Sequence, residues 1–237
     1  MRALYIFPHP DDESFGPAPA MASQIRQGHE ICLLTYTRGG ATRVRFELGY
    51  SVSKMGDVRY LEMVDVAKVL NLKNMEVLDL PDSGLKEMDP IEIESITEKY
   101  IRKFSPDVVV TYPVHGISGF HDHLVTHGVV KRVFCKLRTE WNSAPKRLAF
   151  FTLAKSDEND GKFRLHTSTE SEIDCATRLT PEDIQKGKEA LDCYRTYQNT
   201  IKEARVLDRI GDTVFFEFFQ EGFSPHVSSI FENLPSL

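Results

Sequence analysis

Four short apolar segments, separated by helical patterns, constrain the fold of this chain more than any other feature. They cover residues 3–7, 30–36, 75–80 and 107–112, and prolines or turn residues follow them closely. Between these segments, apolar residues recur at helical spacing over residues 18–27, 57–70 and 91–104. Such alternation predicts an α/β fold of the Rossmann-like type, in which helices cover both faces of a mostly parallel sheet.

The second half of the chain is less regular than the first. A helix is predicted to run to about residue 137, and another over residues 181–197 with Thr180 as its N-cap. Strands are predicted over residues 148–153 and 213–219, with a polar turn at 157–161. Residues 41–57 are polar, contain glycine and suggest a loop that covers something. The length of 237 residues fits one domain over residues 1–237.

Charge and hydropathy exclude several classes of partner. The net charge is -6 and no run of five like charges occurs, which argues against nucleic acid or an anionic membrane as a partner. The first apolar stretch meets Pro8 too early for a signal peptide, and no later stretch approaches the ~20 apolar residues that span a membrane. These features predict a cytoplasmic protein. The four cysteines are far apart in sequence and are expected to be buried thiols.

A histidine and three acidic residues follow the first predicted strand, as His9-Pro10-Asp11-Asp12-Glu13. In open α/β sheets, sites lie at the carboxyl ends of strands. If the chain turns into a helix here, His9 and Asp12 stand at i and i+3 and can point at one metal ion. The alternative is that Asp11 and Asp12 only cap the next helix.

A second cluster follows the fourth predicted strand, at Phe120-His121-Asp122-His123, with further histidines on either side. A mononuclear catalytic metal site uses three protein ligands and keeps one position open. One histidine of this cluster would complete such a set with His9 and Asp12. A solvated surface cluster is the alternative.

At these two clusters the sequence resembles the LmbE/PIG-L family of metal-dependent de-N-acetylases. Residues 8–13 match the family's first hallmark in full, and residues 120–123 match the second, H-P-D-H, in part. Shorter similarities lie at residues 37–39, 59–62, 80–85 and 188–196. The resemblance implies a Rossmann-like domain and an enzyme that removes an acyl group, acetyl above all, from an N-acylated amino sugar or a related conjugate. It also leaves a homo-oligomer open, because trimers and hexamers recur in the family.

The resemblance also implies roles for individual residues. His9, Asp12 and His123 resemble the zinc ligands, and Asp11 resembles the general base that activates water. Arg59 and Asp82 are similar to positions that contact the sugar in some members. The alternatives are that Arg59 is a solvated helix residue paired with Glu62, and that Asp82 only forms the turn in which it lies. Histidine and carboxylate ligands also suit Fe²⁺, so zinc rests on the resemblance.

One position departs from the family pattern. The first histidine of H-P-D-H polarises the scissile carbonyl in the family, and Phe120 stands there in this chain. His121 is the first candidate to supply that function, and His115 and His226 are the others.

Two other functions compete with metal-assisted amide hydrolysis. A non-catalytic Rossmann-like binding protein is disfavoured, because no GxGxxG follows the first strand. A metal-dependent phosphoesterase usually needs two metals and more carboxylates, whereas the acids beyond the first cluster are scattered.

Overall fold

The computed structural model describes residues 1–155, 165–206 and 211–235. The strands of the described chain are β1 (Arg2–Phe7), β2 (Glu30–Thr37), β3 (Asn74–Leu80), β4 (Val108–Thr111), β5 (Arg147–Thr152), β6 (Cys175–Arg178) and β7 (Thr213–Phe218). The α-helices are α1 (Ala18–Arg26), α2 (Val44–Glu47), α3 (Val52–Leu70), α4 (Pro90–Phe104), α5 (His121–Glu140), α6 (Pro181–Asp192) and α7 (Gln198–Glu203). Short 3-10 turns lie at Leu85–Glu87 and Arg195–Tyr197.

All seven strands belong to one sheet, in the order β3-β2-β1-β4-β5-β7-β6. The pairs among β1 to β5 are parallel, and β7 runs antiparallel to both β5 and β6. The predicted α/β class with a mostly parallel sheet is therefore confirmed. The chain winds outward from β1 to β3 and then returns to the other side of β1 at β4. The carboxyl ends of β1 and β4 thus flank the point where the strand order reverses, which is where open α/β sheets bind ligands.

Helices cover both faces of the sheet because the central strands are apolar on both sides. Successive side chains of β1 enter different apolar clusters: Tyr5 and Phe7 lie in one, and Leu4 and Ile6 in the other. The first cluster is completed by side chains of α1, α3 and α6, and the second by side chains of α4 and α5. A sheet that is buried on both faces leaves only its edges and its strand ends for a site.

Several elements differ from the sequence-based expectation. Residues 41–57 are not simply a loop, because they contain α2 and the start of α3, where the Ser51 hydroxyl accepts a hydrogen bond from Lys54 N at 3.1 Å. The helix predicted over 181–197 ends at Asp192. Strand β6 was not predicted, and the polar turn expected at 157–161 lies outside the described residues.

Three of the four cysteines are buried free thiols as predicted, but Cys135 is exposed. In the described part of the chain, no helix combines the length and the apolar character that crossing a membrane requires.

Candidate metal centre

Two loops on neighbouring strands build the candidate site. The first leaves β1 at Pro8, and the second leaves β4 and leads into α5. Because β1 and β4 are adjacent and parallel, both loops emerge at the same edge of the sheet, at the reversal of strand order. His9 and Asp12 lie on the first loop, and His123 lies in the first turn of α5.

The segment after β1 is a series of turns, so the expected helical placement of His9 and Asp12 is wrong. Asp11 has a φ of 86°, a left-handed conformation that is uncommon outside glycine and that clusters at functional sites. Its carbonyl accepts the backbone N–H groups of Ser14 and Phe15 at 2.8 and 2.9 Å, which closes the turn. His9 N donates to Asp12 Oδ2 at 2.9 Å. The two side chains therefore converge through a tight turn.

The three side chains with metal-ligand chemistry meet at one point. His9 Nδ1 lies 3.5 Å from Asp12 Oδ2, and His123 Nε2 lies 3.4 Å from Asp12 Oδ1. One ligand atom from each residue lies within 4.8 Å of the other two. Imidazole nitrogen and carboxylate oxygen are ordinary zinc ligands, and three of them suit a mononuclear site with an open position. The residues present therefore fit a divalent metal.

Hydrogen bonds fix which nitrogen of each histidine faces that point. His123 Nδ1 lies 2.9 Å from the carbonyl oxygen of Gly116, which can only accept, so Nδ1 carries the proton and Nε2 is free to bind a metal. His9 Nε2 lies 3.0 Å from Asp122 Oδ2, so Nδ1 is the His9 nitrogen that faces the candidate metal position, 3.5 Å from Asp12 Oδ2. Asp122 is itself anchored, because its carboxylate accepts Ser83 N at 2.8 Å and Leu85 N at 3.3 Å.

Tyr112 follows β4 directly and contacts two of the candidate ligands, Asp12 and His123. Its hydroxyl donates to Asp12 Oδ1 at 2.8 Å, and its ring stacks on the His123 ring with the centroids 4.3 Å apart. Partners of this kind orient metal ligands and tune their basicity.

Burial and neighbouring charges shift the pKa values of the three candidate ligands. Burial alone would lower the pKa of His9, but its hydrogen bonds with Asp12 and Asp122 outweigh burial and raise it to about 10. Burial would raise the pKa of Asp12, yet His123 and His9 hold it below its usual value. Burial lowers the pKa of His123, which favours the neutral imidazole that a metal requires.

Asp11 lies beside the candidate ligands and contacts Arg59. The Arg59 Nη2 atom is 2.6 Å from Asp11 Oδ2. Burial raises the pKa of Asp11 to about 7, although the positive charge of Arg59 opposes that rise. A carboxylate whose pKa lies near neutrality is suited to take up a proton.

The two predicted sugar contacts lie at the site. Arg59 is only 2% exposed, so the alternative of a solvated residue paired with Glu62 is wrong. The Glu62 carboxylate instead accepts hydrogen bonds from the backbone N–H and the hydroxyl of Thr196, both at 2.8 Å. Asp82 Oδ1 lies 3.4 Å from His9 Nε2, and Asp82 Oδ2 accepts Ala41 N at 2.6 Å.

The three histidines considered as replacements for the missing family histidine occupy different places. His121 is exposed at the first position of α5. His115 Nδ1 accepts Ile117 N at 3.1 Å, and its Nε2 lies 3.5 Å from Ser168 Oγ. His226 is half-buried, and its Nε2 atom lies 3.6 Å from the Glu170 carboxylate. Phe120 is 60% exposed, and its ring stands edge-on to His123 at 5.6 Å.

Sequence reasoning missed three residues that hold the site together. The Tyr112 hydroxyl contacts Asp12, and the Asp122 carboxylate contacts His9. Tyr194, next to α6, accepts a hydrogen bond from Asp11 N at 2.8 Å and donates one to Glu13 at 2.7 Å. The one available signal was position: Tyr112 ends the fourth predicted strand, and Asp122 stands next to His123.

The fold and the site together define a class: an α/β protein with a candidate mononuclear metal site at the strand-order reversal of its sheet. Residues 4–134 match the family described as GlcNAc-PI de-N-acetylase, or PIG-L. The match covers more than half of the chain, and this protein belongs to that family.

Individual relatives agree with the family. The mycothiol S-conjugate amidase of Streptomyces coelicolor is 29% identical over 152 residues, which are 56% of this chain and 52% of the relative. The chain thus spans about half the length of this curated relative.

Two solved structures share the fold. The zinc-inhibited form of teicoplanin deacetylase Orf2 aligns with a TM-score of 0.70 at 14% identity, covering 92% of this chain and 97% of the other. The 4-carboxy-2-hydroxymuconate hydratase GalB of Pseudomonas putida aligns with a TM-score of 0.69 at 15% identity, covering 94% and 97%. Because a deacetylase and a hydratase both share it, the fold alone does not select the reaction.

Proposed function

We propose that this protein is a metal-dependent amide hydrolase that removes an acyl group, acetyl above all, from an N-acylated amino sugar or a related conjugate. One observation carries the proposal: ligand atoms of His9, Asp12 and His123 lie within 4.8 Å of one another, and the carboxylate of Asp11 stands beside them. Membership of the PIG-L family supports the reaction class. Strands from both halves of the chain share one sheet, which supports a single domain over residues 1–237.

His9, Asp12 and His123 would hold the metal, with Tyr112 and Asp122 orienting them. A bound divalent ion lowers the pKa of water and polarises a carbonyl oxygen. Asp11 is the proposed general base, which accepts a proton from the attacking water through its carboxylate. No serine, cysteine or lysine nucleophile is needed.

His121 is the proposed proton donor for the leaving amine. It is exposed at the start of α5, two residues before His123. Asp82 is the proposed contact to a sugar hydroxyl, since it lies beside His9 with one oxygen accepting Ala41 N. Arg59 was also expected to contact the sugar, but its side chain is 3% exposed and its Nη2 atom bonds to Asp11 Oδ2.

A two-metal phosphoesterase is the competing enzyme, and one feature bears on it. His9, Asp82 and Asp122 form a second group with metal-ligand chemistry. This group shares His9 with the first, and Asp122 already accepts hydrogen bonds from His9 Nε2, Ser83 N and Leu85 N. Because of those contacts, we propose that Asp122 orients His9 and is not itself a metal ligand. The site would then hold one metal ion. Zinc is the proposed ion, with Fe²⁺ as the alternative that the same ligands accept.

A small N-acylated amino sugar or conjugate is the proposed substrate, in a cytoplasmic protein that does not bind nucleic acid. A homo-oligomer is compatible with this proposal.

A panel of N-acetylated amino sugars, assayed for released acetate with and without zinc, tests the function. We expect release that depends on zinc and that chelation abolishes. Asp11→Ala should retain the metal and lose activity, whereas His123→Ala should lose the metal. Full activity of Asp11→Ala would make the assignment of the base wrong, and metal content of two equivalents would favour the phosphoesterase.

A further inference from the structure

The guanidinium of Arg59 is enclosed by protein atoms. Its Nη2 atom donates to Asp11 Oδ2 and to the Pro10 carbonyl, both at 2.6 Å, and its Nη1 atom donates to the Gly39 carbonyl at 3.2 Å. One face of the group lies over the Tyr197 ring, 4.1 Å from the centroid. The side chain is 3% exposed, so little of it is available to a solute.

The surroundings are shaped to admit this arginine. Gly39 has a φ of 64°, and a Cβ placed there would lie 2.2 Å from Arg59 Nη1. Only glycine leaves room for the guanidinium at that point. Tyr197, which stacks on Arg59, is in turn hydrogen-bonded through its hydroxyl to Thr42. Arg59 therefore ties together the loops that follow β1 and β2.

From these contacts we infer that Arg59 is a positioning residue, which acts on the reaction by holding Asp11 and does not bind the sugar. This inference rests on the proposed function for its catalytic meaning. Arg59 fixes Asp11 Oδ2 and leaves Oδ1 as the oxygen that can take the proton. Asp11 needs this support because its backbone is in the left-handed region, with a φ of 86°. A carboxylate free to rotate would spend less time in the reactive orientation.

A double-mutant cycle tests the inference. Arg59→Met should lower kcat by about 10²-fold, at the lower end of what a general base contributes, and leave KM within about twofold. In an Asp11→Asn background, the same substitution should lower the residual kcat by no more than about twofold, because the partner through which Arg59 acts has been removed. An arginine that contacts the substrate would instead raise KM by the same factor in both backgrounds, and that result would overturn the inference.

Three further variants separate positioning from a general loss of structure. Arg59→Lys keeps one donor and should retain more kcat than Arg59→Met. Guanidinium added at a concentration that does not unfold the protein should partly restore kcat to Arg59→Ala. Arg38→Met removes a positive charge from the loop after β2, where Arg38 pairs with Asp57 at 2.9 Å, and should keep kcat within about twofold. Loss of activity in Arg38→Met equal to that in Arg59→Met would contradict a specific role.

A crystal structure of Arg59→Met tests whether Arg59 holds the Asp11 side chain, and this test does not depend on catalytic activity. We expect Asp11 to leave its present orientation while the positions of His9, Asp12 and His123 are kept. An unchanged Asp11 side chain would overturn the inference even if the enzyme is active. If the wild-type protein hydrolyses none of the amides, the proposed function fails, and this crystal structure still decides whether Arg59 orients Asp11. Should Arg59→Met fail to fold, the Arg59→Lys structure serves the same purpose, with Asp11 Oδ2 expected to follow the single amine.

Discussion

Removing the hydroxyl of Tyr112 should weaken metal binding while leaving the fold intact. The hydroxyl donates to Asp12 Oδ1 at 2.8 Å, and the ring stacks on His123 and packs 4.9 Å from the Phe7 ring. Tyr112→Phe keeps both ring contacts and deletes one hydrogen bond to a carboxylate. The substitution therefore isolates the support that Tyr112 gives to Asp12.

The size of the effect follows from that single contact. A hydrogen bond to a charged group contributes about 1.5–3 kcal/mol, and loss of a group that supports a metal ligand typically costs 10–100-fold in metal affinity. Asp12 Oδ2 keeps its bond from His9 N at 2.9 Å, so the carboxylate is still held at one oxygen. We therefore expect the zinc Kd to rise by about 10- to 100-fold, which equals about 1.4–2.7 kcal/mol.

Competition with a chromogenic chelator measures the zinc Kd of both proteins. Tyr36→Phe is a matched control, because its buried hydroxyl bonds to Thr97 in the second apolar cluster, away from the candidate ligands. Tyr36→Phe should bind zinc like the wild-type protein. A Tyr112→Phe variant that is folded and binds zinc with wild-type affinity would refute the supporting role of Tyr112.

Three further substitutions test other parts of the account. Gly39→Ala should lower the free energy of unfolding, measured by urea titration, by about 1 kcal/mol or more, and should also lower kcat. The reason is that the new Cβ would lie 2.2 Å from Arg59 Nη1, at a residue whose φ is 64°. An unchanged free energy of unfolding and an unchanged kcat would contradict the close approach. Asp183→Asn should lower the free energy of unfolding at pH 7 by about 1–2 kcal/mol, because the Asp183 carboxylate accepts a hydrogen bond from Arg26 Nη2 at 2.8 Å. Burial would raise the pKa of Asp183, but its hydrogen bonds with Arg26 lower it, so this stabilisation is present above the unfolded pKa of about 3.9 and is lost as the pH falls through the folded value; a difference from wild type that persists at pH 2 would contradict it. Phe120→His should raise kcat by about 10-fold or more, because an imidazole would stand beside the metal ligands to steady the oxyanion; an unchanged kcat would show that another group already does this.

The central sheet and the candidate ligands could be predicted from the sequence because both are local signals. Strands β1 and β4 are short, apolar and ended by proline, and His9 and Asp12 follow β1 within five residues. Once a parallel sheet is expected, the rule that sites lie at the carboxyl ends of strands places the second histidine cluster on the same edge, and the family resemblance selects His123 within it.

The contacts that hold the site could not be predicted from the sequence, because they join segments that are far apart along the chain. Tyr112 and Asp12 are 100 residues apart, and Tyr194 and Asp11 are 183 residues apart. The alternative of a solvated Arg59 failed for another reason: counting only apolar residues at helical spacing assigns a charged residue to the solvent side of α3. A buried arginine is stable only with partners, and those partners lie on two other loops.

Strand β6 was missed because it has only four residues and pairs antiparallel with β7, from Thr213 to Phe218. Its sequence, Cys-Ala-Thr-Arg, has no alternation strong enough to distinguish it from a loop. Tertiary pairing therefore decided its conformation.

Anomalous diffraction at the zinc edge, from crystals of the wild-type protein grown with zinc, tests the central claim most directly. The account predicts one strong peak, about 2.0–2.2 Å from His9 Nδ1, a carboxylate oxygen of Asp12 and His123 Nε2. A peak held instead by Asp82 and Asp122, or no peak with the three side chains turned apart, would contradict it.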